Sequence, residues 1–165
     1  MSKVLEGIKV LDFGRYIAGP FCGTLLGDMG AEVIRIEKVD GSEDRFLSPV
    51  TENGDGAMFM QLARNKRGMT LNPMKPQGRE IVEKLVATAD VVVANLPPET
   101  LKAMALDYES LRSTKSDIIL TMISAFGRGG PYSIELDLTG SVKQCPATCI
   151  CLAHPNNRSK LMHHL

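Results

Sequence analysis

The sequence predicts an α/β domain of the doubly wound type, built on a mostly parallel sheet. Two observations carry this. First, short apolar runs alternate along the chain with amphipathic helical stretches, which is the pattern of an α/β layer fold. Second, the run Ile8–Phe13 passes directly into Gly19-Pro20, and a further strand pattern follows at Val33–Glu37. Strand, helix and strand at that spacing form a unit that favours parallel pairing and a right-handed crossover.

The elements follow in order. Ile8–Phe13, with Val10, Leu11 and Phe13, reads as a buried strand. Gly19 and Pro20 open a helix, because proline's missing N–H would be unpaired in the first turn anyway. Phe21, Cys22, Leu25, Leu26 and Met29 recur at helical spacing and are expected to form its buried face. Gly30 closes that helix, and Val33–Glu37 alternates as a second strand. Gly41–Ala57 is polar and reads as a long loop. Met69–Leu71 reads as a short third strand. Pro76–Ala89 is a helix with Ile81, Val82, Leu85 and Val86 on one face and Glu80 and Lys84 as a favourable pair. Asp90–Leu96 is a strong buried strand that Pro97-Pro98 ends. A short helix runs from there through Met104, and another covers Tyr108–Arg112. Ile118–Ile123 is a further strand, and Phe126–Pro131 a glycine-rich turn.

Composition excludes several classes. The 165 residues suffice for one domain with a real core. Lys plus Arg and Asp plus Glu both number 19, so nothing steers the chain toward nucleic acid or an anionic membrane. No apolar run approaches the roughly 20 residues that span a bilayer. The start, MSKVLEGIKV, lacks a secretory apolar region, so a cytoplasmic location is expected. Cys22 lies among helical apolar positions and reads as a structural thiol.

The strand-to-helix turn at Leu5–Pro20, LEGIKVLDFGRYIAGP, marks a nucleotide-type crevice, and Asn65–Leu71, NKRGMTL, supplies cations and a strand beside it. Glu37 would suit a dinucleotide's ribose, since an acidic residue about 20 positions on is part of that plan. The G-x-G-x-x-G fingerprint is missing, however: Gly14, Gly19 and Gly23 are spaced wrongly for it. The glycines also fit a bland reading, in which they only permit tight turns and close packing.

Five segments in order, LDFGRYIAGP, GAEVIRIEK, NKRGMTL, ADVVVANLPPETL and SAFGRGGPY, resemble the N-terminal part of the family III CoA-transferases, the group with formyl-CoA transferase, carnitine-type CoA-transferases and α-methylacyl-CoA racemase. The resemblance implies a Rossmann-like fold that binds coenzyme A or acyl-CoA as substrate, with no permanently bound cofactor. Its partners would be an acyl-CoA and a carboxylic acid, and full-length relatives form interlocked homodimers. Carried over by motif, Ile17 and Ala18 would lie against adenine or pantetheine. Lys38 stands where a cation often follows the second strand. Leu71 and its neighbours would pack on adenine, and Asn95 and Leu96 would line the pantetheine channel. Asn72 stands where relatives often carry Asp, with the nearby lysine displaced to Lys75. The family's arginine after the fourth strand falls on Ala103, beside Lys102. For Lys38 and Lys75 a solvated surface role is the alternative reading.

The resemblance implies catalysis by an aspartate that attacks the thioester and forms an aspartyl-CoA intermediate, or by His and Asp acting as acid and base in the racemase relatives. No residue here matches those positions; Asp137, in IELDLTG, does not fit. The match runs to about Tyr132. Ser133–Pro155 can be written in codons that, read from the third base of the first, give DRVGFDGIGQAMSGNMYLSGTP, the continuation the family leads one to expect. A single-base frameshift after about Ser133 is therefore expected, with residues 134–165 an out-of-frame, poorly ordered tail after a partial CoA-binding domain over 1–133. Cys145, Cys149, Cys151 and His154 make a compact set that could take zinc, but a frameshift produces such a set without selection for metal. The chain is thus expected to be an inactive piece of a CoA-transferase with open sheet edges; a non-catalytic CoA- or nucleotide-binding module is the alternative.

Overall fold

The computed structural model describes residues 3–47, 51–53, 56–127, 130–131 and, as backbone, 148–152. The strands are β1 (Lys9–Asp12), β2 (Glu32–Glu37), β3 (Lys66–Thr70), β4 (Val91–Ala94), β5 (Ile119–Ser124) and β6 (Thr148–Leu152). The helices are α1 (Ala18–Asp28), α2 (Ala57–Leu62), α3 (Pro76–Val86), α4 (Pro98–Ala103) and α5 (Tyr108–Thr114), with a 3-10 turn at Glu43–Phe46. The sheet order is β3-β2-β1-β4-β5-β6. β1 to β5 are parallel, and β6 runs antiparallel to β5. This is the expected doubly wound α/β sheet.

Both faces of the sheet are covered, which is why the central strands read as nearly continuous apolar runs. Leu11, Phe13, Val92 and Leu120 share a core with Val82 and Val86 of α3, Leu101 of α4 and Leu111 of α5. Val10, Val33 and Val93 point the other way, where Cys22 and Leu26 of α1 pack. Burying each such side chain stabilises the fold by about 1.5–3 kcal/mol before the entropy of ordering the chain is set against it.

The expected apolar face of α1 is only partly the buried one. Phe21, Leu25 and Met29 are 46%, 43% and 44% exposed, while Gly19, Pro20, Gly23, Thr24 and Gly27 are buried. Proximity explains it. A Cβ on Gly23 would lie 2.8 Å from Asp12 Oδ2, so the helix rides too close to the sheet for a large residue to point inward. Gly30 ends the helix as expected, in the left-handed region at φ +108°.

The Gly41–Ala57 stretch is more structured than a polar loop. Asp44 and Ser42 are fully buried, and Gly56 N–H donates to Arg45 O at 2.7 Å. α2 follows, a helix too short for periodicity to show. β3 begins at Lys66, earlier than Met69, because alternating exposure on an outer strand leaves little hydrophobic signal. Within the segment expected to lack order, Thr148–Leu152 forms β6 along β5. This strand covers the edge of β5 that was expected to stay open, and a β-branched, apolar stretch such as TCICL is suited to it. In the expected Phe126–Pro131 turn, Gly127 takes a left-handed φ of +73° and its N–H donates to Ser124 Oγ at 3.1 Å, while residues 128–129 and the rest of the 134–165 segment lie outside the described residues. Among the described residues no helix is long and apolar enough to cross a membrane.

Candidate functional site

The sheet order reverses between β1 and β4. Their carboxyl ends splay their connections to opposite faces, which opens a crevice where α/β sheets hold ligands. Three features shape it. Asp12, at the end of β1, accepts the Gly14 N–H at 2.8 Å. Tyr16 takes a left-handed φ of +58°, which turns the chain sharply into α1. Asn95, just past β4, grips the turn from the other side: its Oδ1 accepts Arg15 N–H at 2.7 Å and its Nδ2 donates to Arg15 O at 2.8 Å. Gly14 and Gly19 are required by close approach, since a Cβ on Gly19 would meet Gly14 Cα at 2.6 Å and Asn95 Oδ1 at 2.8 Å.

α1 starts at this crevice with no side-chain cap and no acidic residue in its first turn. Its positive dipole end therefore faces the opening without a protein carboxylate of its own. Arg15 adds a cation. Its Nη1 donates to Phe13 O, Gly14 O and Ile36 O at 3.3, 3.1 and 3.3 Å, which ties the ends of β1 and β2 together. Burial, with the nearby charge of Arg35, lowers the Arg15 pKa from its usual value although Glu43 pulls it up.

All eight sequence-predicted residues lie at the carboxyl end of the sheet. Ile17 and Ala18 are exposed at the head of α1, and Asn95 and Leu96 are half-buried opposite them. Lys38 extends from the end of β2 into solvent and pairs with Glu43. Asn72 and Lys75 are exposed in the turn before α3, where Asn72 Oδ1 accepts Met74 N–H at 3.0 Å. Two of the eight are held by the fold itself. Leu71 is only 9% exposed and belongs to the core, so it offers a ligand little surface. Asn95 spends both ends of its amide on Arg15, so it shapes the wall rather than presenting free hydrogen-bonding groups.

The cations of Asn65–Leu71 do not face the crevice. Lys66 is buried under α1, where its Nζ meets Asp12 Oδ2 at 2.7 Å and Pro20 O at 2.6 Å; burial depresses its pKa, against the pull of Asp12. Arg67 pairs with Glu32 at the opposite end of β2, at 2.7 Å. Glu37 is likewise committed. Arg45 reaches it at 2.7 Å and Arg35 at 3.3 Å, which removes the carboxylate a dinucleotide ribose would need. Burial pushes the Glu37 pKa up, but hydrogen bonds from Arg45, the two arginine charges and Ser42 N–H hold it below the usual range.

Sequence reading missed this buried charge network. Arg35, 1% exposed, holds Asp44 with two contacts of 2.8 and 2.6 Å, and Arg45 stacks over Phe59 at 3.8 Å. The signal was present in VIRIE, where Arg and Glu alternate on one strand face as if solvated. Here that face is covered by the turn after β2 and by α2, and the charges survive burial because they are paired. Among the described residues no group of His, Cys, Asp and Glu could hold a metal. Cys145 and His154 lie outside the described residues.

A doubly wound sheet with a cationic crevice at its reversal point defines a Rossmann-like binding domain. The chain belongs to CoA-transferase family III, whose family model matches residues 5–148. That match reaches beyond Tyr132, where the motif correspondence ends. The chain is 39% identical over 136 residues to a succinate–glutarate CoA-transferase of Agrobacterium fabrum, covering 78% of this chain and 34% of the relative. It is 36% identical over 146 residues to a formyl-CoA:oxalate CoA-transferase of Rhodopseudomonas palustris, covering 88% of this chain and 34% of the relative. Among solved structures, a CAIB/BAIF family protein from Brucella suis shares 38% identity at a TM-score of 0.76, over 82% of this chain and 37% of that one. The chain thus spans about a third of the length of the curated relatives it matches.

Proposed function

We propose that this chain carries the CoA-binding crevice of an enzyme that transfers CoA between carboxylic acids. The observation that carries the reading is the grouping, at the carboxyl edge of the sheet, of Arg15 in the turn after β1, the uncapped start of α1 with the exposed Ile17 and Ala18, and Lys38 just past the end of the neighbouring β2. CoA pairs several phosphate charges with a long, mostly uncharged arm. Phosphates need cations and helix N–H groups; the arm needs apolar surface, and the exposed Ile17 and Ala18 and the half-buried Leu96 offer apolar side chains at this end of the sheet.

In this reading the thioester would be attacked by an aspartate to form an aspartyl-CoA intermediate, and that aspartate is not among the 165 residues. The chain supplies binding and not the nucleophile, so by itself it exchanges no acyl groups. Working enzyme would be a cytoplasmic homodimer. The 134–165 segment is read as out of frame. Support for that comes from the family continuation encoded one base out of register after Ser133, and sequencing the gene across codon 133 tests it: an unbroken frame that encodes the same tail in a homologous gene would refute it.

Calorimetry on the purified chain tests the central reading. Micromolar binding of CoA, with no acyl exchange between CoA and free acids, is expected. Absence of CoA binding would remove the reading, and exchange at an enzymatic rate would overturn the assignment of the nucleophile elsewhere.

A further inference from the structure

The 3-10 turn after β2 sets the Glu43 carboxylate between two cations, Lys38 and Arg15. Glu43 Oε1 pairs with Lys38 Nζ, and its Oε2 lies 3.9 Å from Arg15 Nε. That Oε2 is buried with no hydrogen-bond partner. The position is not accidental slack in a loop. Its neighbour Asp44 is locked by Arg35 at 2.6 Å, and the next residue, Arg45, is locked by Glu37 at 2.7 Å. Two ion pairs, one fully buried and one partly so, therefore fix the turn from which Glu43 projects. Its carboxyl stays below the usual range: burial raises its pKa, but the Lys38 contact and the charges of Lys38 and Arg15 outweigh that.

We propose that Glu43 is a built-in counter-ion of the crevice, occupying the anion position between Arg15 and Lys38, and that a phosphate-bearing ligand must displace it to bind. The inference rests on the reading that the crevice accepts CoA. Glu43 neutralises Lys38 and Arg15 while the site is empty, and it opposes the ligand's charge while the site is filled. It thereby lowers affinity for every anion and leaves affinity for the uncharged arm alone. Lys38 is 59% exposed along its side chain and Glu43 40%, so solvent screens the pair and the effect is modest.

The test is calorimetry on the purified chain with CoA, pantetheine and inorganic pyrophosphate, at low salt. Glu43→Gln should tighten CoA and pyrophosphate roughly three- to fivefold, the range an exposed ion pair commands. Pantetheine affinity should not change. Glu43→Ala should show the same gain, which guards against a fault peculiar to one replacement. In a Lys38→Met background most of the gain should vanish, because the two sites are coupled. Unchanged or weaker anion binding by both Glu43 variants, with wild-type CoA binding intact, overturns the counter-ion and leaves the CoA reading standing. A gain on pyrophosphate with no form binding CoA supports the counter-ion and removes the CoA reading. No anion binding by any form overturns both.

Discussion

Asn95 is the point at which the crevice is most open to test. Its side-chain amide makes two hydrogen bonds to the backbone of Arg15, at 2.7 and 2.8 Å, across 80 residues of sequence. Asn95→Ala removes both. Each net bond contributes about 1 kcal/mol, and the two half-buried backbone groups left behind cost more if water cannot reach them. A loss of about 2–4 kcal/mol is expected, equivalent to roughly 4–16 °C in Tm for a domain of this size. Asn95→Asp is the sharper variant. It keeps the acceptor for Arg15 N–H but sets a carboxylate oxygen against Arg15 O, so it should be no more stable than Asn95→Ala. Thermal melts followed by circular dichroism read both. An Asn95→Asp protein as stable as wild type would refute the amide orientation. An Asn95→Ala protein melting within a degree of wild type would refute the clamp itself.

Other substitutions address the rest of the framework. Lys66→Met strands a fully buried Asp12 carboxylate and should cost about 3–5 kcal/mol in urea unfolding; a near-neutral result would mean the pair is not buried in solution. Gly78→Ala would place a Cβ 1.9 Å from Asn72 O, and a loss of at least about 1–3 kcal/mol is expected as the turn before α3 is forced apart. Asp107 accepts Ser110 N–H at 3.2 Å at the start of α5, so Asp107→Ala should lower stability by about 1 kcal/mol. The pH dependence follows from Glu37, whose folded pKa, despite its burial, is held by Arg45 and Arg35 below the ordinary glutamate value of about 4.5. A depressed carboxyl contributes stability above its unfolded pKa and loses it as pH falls through the folded value. Urea midpoints should therefore drop below about pH 4.5, and less steeply in Glu37→Gln; equal slopes in both proteins would count against the Arg35–Glu37–Arg45 network.

The sheet was legible in the sequence because strands buried on both faces leave unbroken apolar runs: Val10-Leu11 and Val91-Val92-Val93 gave away β1 and β4, and Gly30 gave away the end of α1. What could not be read depended on contacts distant in sequence. Phe21, Leu25 and Met29 have the periodicity of a core face, but Gly23 sits so near Asp12 that the helix must turn its small residues inward. β3 was shortened because an outer strand alternates weakly. The turn after β2 looked polar because its charges are polar; nothing local says that Asp44 meets Arg35 or that Arg45 meets Glu37. Around the candidate site, the motif indicates that Ile17 and Ala18 follow β1 and Lys38 follows β2, as they do in the fold, while the commitment of Asn95 to Arg15 and the burial of Leu71 emerge only from the packed structure.

The most direct measurement of the central claim is amide hydrogen exchange with and without CoA. The account predicts that CoA slows exchange at Gly14–Gly19 and around Asn95–Leu96, the two walls of the crevice, and leaves β6 unaffected. Protection confined to other parts of the chain, with residues 14–19 exchanging as fast in the presence of CoA as without it, would contradict it.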